Sequence, residues 1–214
     1  MNRERHLLPA LAALTGLVWM AAVLLIAANH KGIDLAGDLA YDRANRIHTL
    51  ALVLLTATVI VVHRTIRATG LTGARAATAL VVAAVLMLVG NVVSFWGALL
   101  TDGTSEQFWG GLVGWLLFLP GMMVLLGAFI GLARATRDWP GITWVQRWVI
   151  GLVGLFLTVT TITWAGSPAL TLAPALLAAF ALLAAGTAVA QAARAGYPAV
   201  TEAGGPGQAT QPTG

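Results

Sequence analysis

Six apolar runs, separated by shorter polar connections, account for most of the chain. Each run holds roughly twenty residues or more, which is enough for a helix to cross the hydrocarbon core of a bilayer. Charged residues make up 9% of the sequence, whereas a soluble globular domain contains about 25%. The sequence therefore predicts an all-α integral membrane protein, folded as a bundle of six transmembrane helices.

The six helices are expected to form one transmembrane domain, from residue 1 to residue 194. Their predicted ranges are about 7–28, 47–66, 76–100, 109–133, 144–164 and 169–193. The first run is longer than the roughly 7–15 apolar residues of a signal peptide, so we expect it to remain as a membrane helix. Residues 195–214 are rich in Gly, Pro, Thr and Gln and lack an apolar period, which indicates a disordered tail.

The basic residues predict the orientation, because cytoplasmic loops carry an excess of Lys and Arg. With a cytoplasmic N-terminus, nine basic residues lie inside: Arg3, Arg5, Arg64, Arg67, Arg75, Arg134, Arg137, Arg147 and Arg194. Three lie outside: Lys31, Arg43 and Arg46. We therefore expect both termini, and the tail, to be cytoplasmic. Arginine accounts for eleven of the twelve basic residues, which favours a GC-rich bacterial genome and hence a bacterial cytoplasmic membrane.

The third run carries the polar face that is the main candidate site. Gly90, Ser94 and Gly97 are spaced i, i+4 and i+7, so they share one helix face, and Asn91 lies beside it. Small residues allow a neighbouring backbone to approach closely, and an amide can then donate or accept a hydrogen bond across the contact. We expect this helix to lie in the middle of the bundle. Pro120, within the fourth run, should kink that helix close to the same face.

Two interpretations of this face are possible. Asn91 and Ser94, together with the threonines of the fifth run, could line a polar pocket or a solute pathway in the outer half of the bundle. Alternatively, the face could be a helix–helix contact without a ligand, which is the commoner role of amides and hydroxyls in bundles. Gly110 with Gly114 and Gly127 with Gly131 have the same G-x-x-x-G spacing and are predicted to be close helix contacts.

No metal or cofactor is predicted. Five acidic residues lie on the predicted outer side, and oxygen ligands of this kind can bind divalent cations: Asp34, Asp38, Asp42, Asp102 and Glu106. Their spacing matches no specific metal site, so we interpret them as a solvated surface. A haem held by two histidines is a weaker alternative, because His6, His30, His48 and His63 are all expected near helix ends, outside the core.

The function predicted from the sequence is non-catalytic. Cysteine is absent, no motif for nucleophilic catalysis or phosphate binding is present, and the basic residues form no patch typical of nucleic-acid binding. The leading hypothesis is a binding, sensing or accessory subunit that contacts the lipid bilayer and either a second copy or another membrane protein. The alternative is a small oligomeric transporter or channel for a neutral or weakly polar solute, and the third is a haem-binding redox protein.

Overall fold

The computed structural model describes the backbone of residues 2–29, 39–96, 104–163 and 167–196, and the side chains of residues 7–29, 43–96, 111–163 and 167–196. The helices in these ranges are α1 (Asn2–Asn29), α2 (Leu39–Thr69), α3 (Ala74–Phe95), α4 (Thr104–Ala135), α5 (Trp144–Thr163) and α6 (Pro168–Ala195). A 3-10 turn, Thr136–Asp138, follows α4. Each of the six helices is long and apolar enough to span a membrane.

Several helix boundaries differ from those predicted, and α2 differs most. It begins at Leu39, eight residues before the expected start, and runs on to Thr69. Hydropathy marks only the part of a helix that lies in the apolar layer, whereas the backbone remains helical through the polar residues on either side. At the other extreme, α3 ends at Phe95 rather than at residue 100. The described chain ends at Gly196: Ala195, the first residue of the predicted tail, is the last residue of α6, and residues 197–214 lie outside the described residues.

The six helices form a closed ring in chain order. Each packs against its sequence neighbours, α6 closes the ring against α1, and α2 also touches α6 across the interior. The prediction that the third helix lies in the middle of the bundle is therefore wrong. α3 lies on the perimeter between α2 and α4, with Val82, Val85 and Val89 exposed on its outer side. Its small, polar face nevertheless points inward, since Gly90 and Asn91 are buried.

A very close contact joins the backbones of α3 and α4. A Cβ atom placed on Gly90 would lie 2.5 Å from the carbonyl oxygen of Gly114, and one on Gly114 would lie 2.5 Å from the carbonyl oxygen of Gly90. Further along, a Cβ on Gly121 would meet the carbonyl oxygen of Ala83 at 3.0 Å. Glycine is required where two helix backbones approach this closely. The close approach predicted for Gly90 and Gly114 is thus confirmed.

Gly127 does not make the close contact that its spacing predicted. No atom lies within 4 Å of a Cβ placed there, and the residue is exposed on the outside of α4. Gly131 is only in ordinary contact, because its Cβ would lie 3.5 Å from that of Ala76. Gly114 and Gly127 belong to pairs with the same spacing, but the two residues point in different directions from α4.

A second tight contact joins the first and last helices. Gly16 of α1 faces Ala179 of α6, with 2.8 Å between a Cβ placed on Gly16 and the Ala179 backbone. Gly186 of α6 faces Ala12 of α1, and a Cβ placed on Gly186 would lie 2.6 Å from the Cβ of Ala12. α6 presents a buried series of alanines to the ring: Ala175, Ala178, Ala181, Ala185, Ala188 and Ala192. Small side chains therefore close the ring, because they bring the two helices near enough for dispersion contacts along their length.

One end of the ring, here called the terminal end, contains the start of α1 and the end of α6. Two connections are joined there by Trp139, whose Nε1 donates to the Thr72 carbonyl oxygen at 3.0 Å, while the Thr72 hydroxyl donates to the Ala135 carbonyl at 2.7 Å. α5 begins with a capping box, in which Gln146 N donates to Thr143 Oγ1 and Thr143 N donates to Gln146 Oε1. The opposite end, the distal end, contains the start of α2 and the end of α3.

The two glycine environments of α4 generate a matched test of the α3–α4 contact. Gly114→Ala places a methyl group against the Gly90 carbonyl and the Ser94 hydroxyl, and overpacking of this kind typically costs about 1–3 kcal/mol. Gly127→Ala meets no neighbour, and Ala is favoured over Gly in a helix by up to about 1 kcal/mol. Thermal unfolding in detergent should therefore show a lower Tm for Gly114→Ala and an equal or higher Tm for Gly127→Ala. Equal Tm values for both variants would contradict the contact.

Candidate functional site

The polar side chains of the third helix meet α2 and α4 at the distal end of the ring. We call the group the distal cluster; it contains Arg46, Thr49, Asn91, Ser94 and Trp96. Asn91 lies on the inner face of α3, about 6 Å along the axis from the end of that helix, and is 2% exposed. The cluster therefore lies near the end of α3 rather than at the centre of that helix.

Thr49 is the centre of the hydrogen bonding in this cluster. Its hydroxyl donates to Asn91 Oδ1 at 2.6 Å and accepts a hydrogen bond from Trp96 Nε1 at 2.9 Å. A hydroxyl can donate and accept at the same time, so one side chain of α2 satisfies two side chains of α3. The hydrogen bond across a helix contact predicted for Asn91 is present, and its partner is the neighbouring α2.

Arg46, one turn before Thr49, covers the end of α3. Its Nε donates to the Phe95 carbonyl oxygen at 3.3 Å, one of the last four carbonyls of the helix, which have no partner within the helix. Its guanidinium carbon lies 5.9 Å from the centre of the Trp96 ring, within the range of a cation–π contact. The positive charge also opposes the partial negative charge at a helix C-terminus. Arg46 thus stabilises the end of α3 and orients Trp96.

A small cleft opens beside Asn91, between α3 and α4. Its lining consists of Gly90, Asn91, Ser94, Phe95, Trp115 and Phe118. The volume is about 10 Å³, which is close to the space that one water molecule needs. The Ser94 hydroxyl donates to the Gly111 carbonyl at 3.3 Å. In this arrangement the cleft accommodates a single water beside the amide and is too small for an organic solute.

Gly97 and Pro120 complete the set of predicted site residues. Gly97 is outside the described residues. Pro120 lies within α4, which remains helical on both sides of it, and its side chain is exposed on the outside of the ring. The structure therefore brings Gly90, Asn91 and Ser94 together and places Pro120 away from them.

The threonines of the fifth helix are also separate from Asn91. α5 packs against α4 and α6, whereas α3 packs against α2 and α4. Thr160 and Thr161 donate to the Leu157 carbonyl of their own helix, at 2.8 and 2.9 Å. The Thr160 hydroxyl also accepts a hydrogen bond from Trp19 Nε1 at 3.0 Å. The Thr160 hydroxyl therefore joins α5 to α1, and none of the described α5 threonines lines the cleft beside Asn91.

The position predicted for His48 is wrong. It was expected near the outer surface, but it is fully buried, because α2 begins at Leu39 and His48 is therefore more than two turns inside the helix. Its ring stands edge-on to Trp19 with the centroids 4.9 Å apart, and lies 6.3 Å from that of Phe118. Phe118 in turn makes an edge contact with Trp115 at 5.5 Å. His48 thus belongs to an aromatic cluster in the core that also lines the cleft beside Asn91.

The described side chains include few groups that could bind a metal ion or the iron of a haem. Within the ranges whose side chains are placed, no group of three His, Asp or Glu residues could hold a metal ion. His48 and His63 both lie on α2, and their separation of fifteen positions corresponds to about 22 Å along the helix, so the two could not bind one haem iron. The side chains of His6, His30 and the five outer acidic residues lie outside the described set.

The distal cluster therefore consists of neutral donors and acceptors together with one guanidinium group. Such groups can bind water, a polar solute or a lipid headgroup, but general acid–base catalysis requires a titratable group positioned at a substrate. No protein-family model, curated protein or solved structure matches the chain.

The geometry of the distal cluster predicts an order of stability among variants. Asn91→Leu removes the hydrogen bond from Thr49, and such bonds in membranes average about 0.6 kcal/mol, with a maximum near 1.7. Gly90→Leu forces a side chain into the Gly114 and Phe118 backbone, at a cost of about 1–3 kcal/mol or more. Thermal unfolding in detergent should therefore rank Gly90→Leu as the less stable variant.

Thr49→Val is the matched control for the amide, because it keeps the shape of the side chain and removes the hydroxyl. It should destabilise the protein about as much as Asn91→Leu or more, since it also removes the acceptor of Trp96 Nε1. The double variant Thr49→Val with Asn91→Leu should lose less stability than the sum of the two single losses, because both changes remove the same hydrogen bond. If Gly90→Leu and Asn91→Leu were both as stable as the wild type, the face would not be a helix contact.

Proposed function

We propose that the protein is a multi-pass membrane protein that acts by binding, as a sensing or accessory subunit, and not by catalysis. The observation that carries this proposal is the packing along the axis of the ring. Five helices contribute apolar side chains there, among them Val59, Leu80, Phe129, Ile150 and Leu182, around a cavity of about 20 Å³. A solute that crossed the membrane through the ring would have to displace these side chains.

A small transporter or channel for a neutral or weakly polar solute is the second candidate. The amide and hydroxyls beside the cleft support it, because a neutral solute would exchange its water for such groups. Their hydrogen bonds count against it, since Asn91 Oδ1 and Thr49 already satisfy one another. The glycine face of α3 is likewise occupied by α4, so a partner or second copy would have to bind elsewhere on the outer surface.

The proposed location is the bacterial cytoplasmic membrane, with both termini in the cytoplasm. The six apolar helices support a membrane location. The distribution of charge supports the orientation, because seven arginines of the described side chains lie at or near the terminal end: Arg64, Arg67, Arg75, Arg134, Arg137, Arg147 and Arg194. Arg43 and Arg46 lie at the distal end. This asymmetry is the positive-inside pattern.

Reconstitution would separate binding from transport. Proteoliposomes that contain the wild type should take up small neutral solutes, such as glycerol and urea, no faster than protein-free liposomes. Cross-linking in native membranes should capture a second copy or another membrane protein in constant ratio. Asn91→Leu should leave that ratio unchanged. Uptake by the wild type that is lost in Asn91→Leu, with little change in Tm, would instead establish the transporter.

The orientation can be tested by cysteine labelling, because the natural sequence has no cysteine to give background. Thr104→Cys should react with a membrane-impermeant maleimide in intact spheroplasts. Arg137→Cys, at the terminal end and exposed, should react only after the membrane is opened. The reverse pattern would place both termini outside and refute the proposed orientation.

A further inference from the structure

A groove of about 530 Å³ opens between α1 and α6 at the terminal end of the ring. Its lining consists of Pro9, Thr187, Ala190, Gln191, Arg194 and Ala195. The volume lies within the range of about 300–1,000 Å³ that is usual for sites of small ligands. The groove is separate from the distal cluster, because it lies at the opposite end of the helices.

The groove changes from polar to less polar along its length. Thr187, Gln191 and Arg194 are spaced i, i+4 and i+7, so they follow one face of α6 over about 10 Å. Arg194 lies in the last turn of the helix, where a membrane helix reaches the headgroup region. Deeper in, the Thr187 hydroxyl donates to the Leu183 carbonyl of its own helix at 2.9 Å, which leaves mainly carbon in the wall beside Pro9. A ligand with a charged head group and an apolar chain would match this change in polarity along the groove.

The side chain of Gln191 forms part of the groove wall and is held in place by two hydrogen bonds. Its Nε2 donates to the Gly141 carbonyl at 3.3 Å, and its Oε1 accepts from Gln146 Nε2 at 3.1 Å. Both partners belong to the connection into α5 and its first turn. A wall that is held before the ligand arrives loses little conformational freedom on binding, and this favours affinity.

The electrostatics at the mouth of the groove favour an anion. The start of α1 and the end of α6 carry partial charges of about +0.5 and −0.5, which largely offset each other. The side chains then decide the sign, and among the side chains that the structure describes, Arg194 is the charged one in the lining. Arg194 has a further contact of its own, but a guanidinium group has five N–H donors and can bind a phosphate as well.

We propose that this groove binds an anionic phospholipid of the leaflet at the terminal end, with its phosphate at Arg194 and an acyl chain along Pro9 and Thr187. Basic pockets between membrane helices on the cytoplasmic side are suited to such headgroups. The inference rests on the membrane location proposed above, and it does not require the choice between binding and transport.

Lipid retention by the intact protein tests this assignment. The full-length chain is reconstituted in nanodiscs with equal amounts of phosphatidylglycerol and phosphatidylcholine, then extracted, and the retained lipids are measured by mass spectrometry. The wild type should be enriched in phosphatidylglycerol. Arg194→Gln should lower that enrichment about fivefold, which is the worth of one basic residue near a membrane surface.

Arg134→Gln is the matched control, because Arg134 is also an exposed arginine in the last turn of a helix at the same end. It should leave the enrichment unchanged. Equal losses in both variants, or no preference in the wild type, would overturn the groove as a specific site. If the wild type showed no preference for phosphatidylglycerol and Glu202→Gln did, residues 197–214 would be the occupant of the groove. The proposed lipid site would then also be wrong. Release of the wild type from membranes by alkaline carbonate would instead refute the membrane location itself.

Discussion

The contact between the backbones of α3 and α4 at Gly90 and Gly114 determines how the distal end of the protein is arranged. Within a bilayer, apolar helices gain little by exchanging lipid for protein, so close packing and polar bonds must hold them together. The glycine contact fixes the rotation of α3, and this rotation turns Asn91 towards α2. Thr49 can then satisfy both Asn91 and Trp96, and Arg46 can cover the last carbonyls of α3. Loss of the contact would therefore affect every bond of the distal cluster.

Six apolar spans and the inward face of α3 could be predicted because both depend on local pattern. Length and hydropathy identify a span, and small residues at i and i+4 identify a face. The start of α2 could not be predicted from hydropathy. His48 was therefore expected near the surface, although it lies in the core. A signal was present: the buried residues Val62, Val59, Leu55 and Leu52 recur every three or four positions. The same interval, continued backwards, reaches His48 and Asn45, which are also buried.

Features that depend on the relation between helices were not predictable from one sequence. Gly114 and Gly127 occur in equal G-x-x-x-G spacings, yet only Gly114 meets another backbone, because the spacing does not say which side of α4 faces α3. The hydrogen-bond partner of Asn91 could not be predicted either, because a threonine hydroxyl can donate to a carbonyl of its own helix as readily as to a neighbouring helix. The ring order places α5 away from α3, which separates its threonines from the cleft. The closed axis follows from this order and supports the proposal that the protein binds rather than conducts.

The most direct test of the α3–α4 contact is disulfide formation between introduced cysteines. A Cβ on Gly114 would lie 2.9 Å from that of Ser94, and a disulfide needs about 3.5–4.5 Å, so a small shift allows the bond. Ser94→Cys with Gly114→Cys, and Met87→Cys with Gly121→Cys as a second pair, should oxidise almost completely under mild conditions. Val89→Cys with Gly114→Cys should not, because Val89 points outward from α3. Folded protein in which neither of the first two pairs oxidised, or in which the Val89 pair did, would contradict the arrangement of the ring.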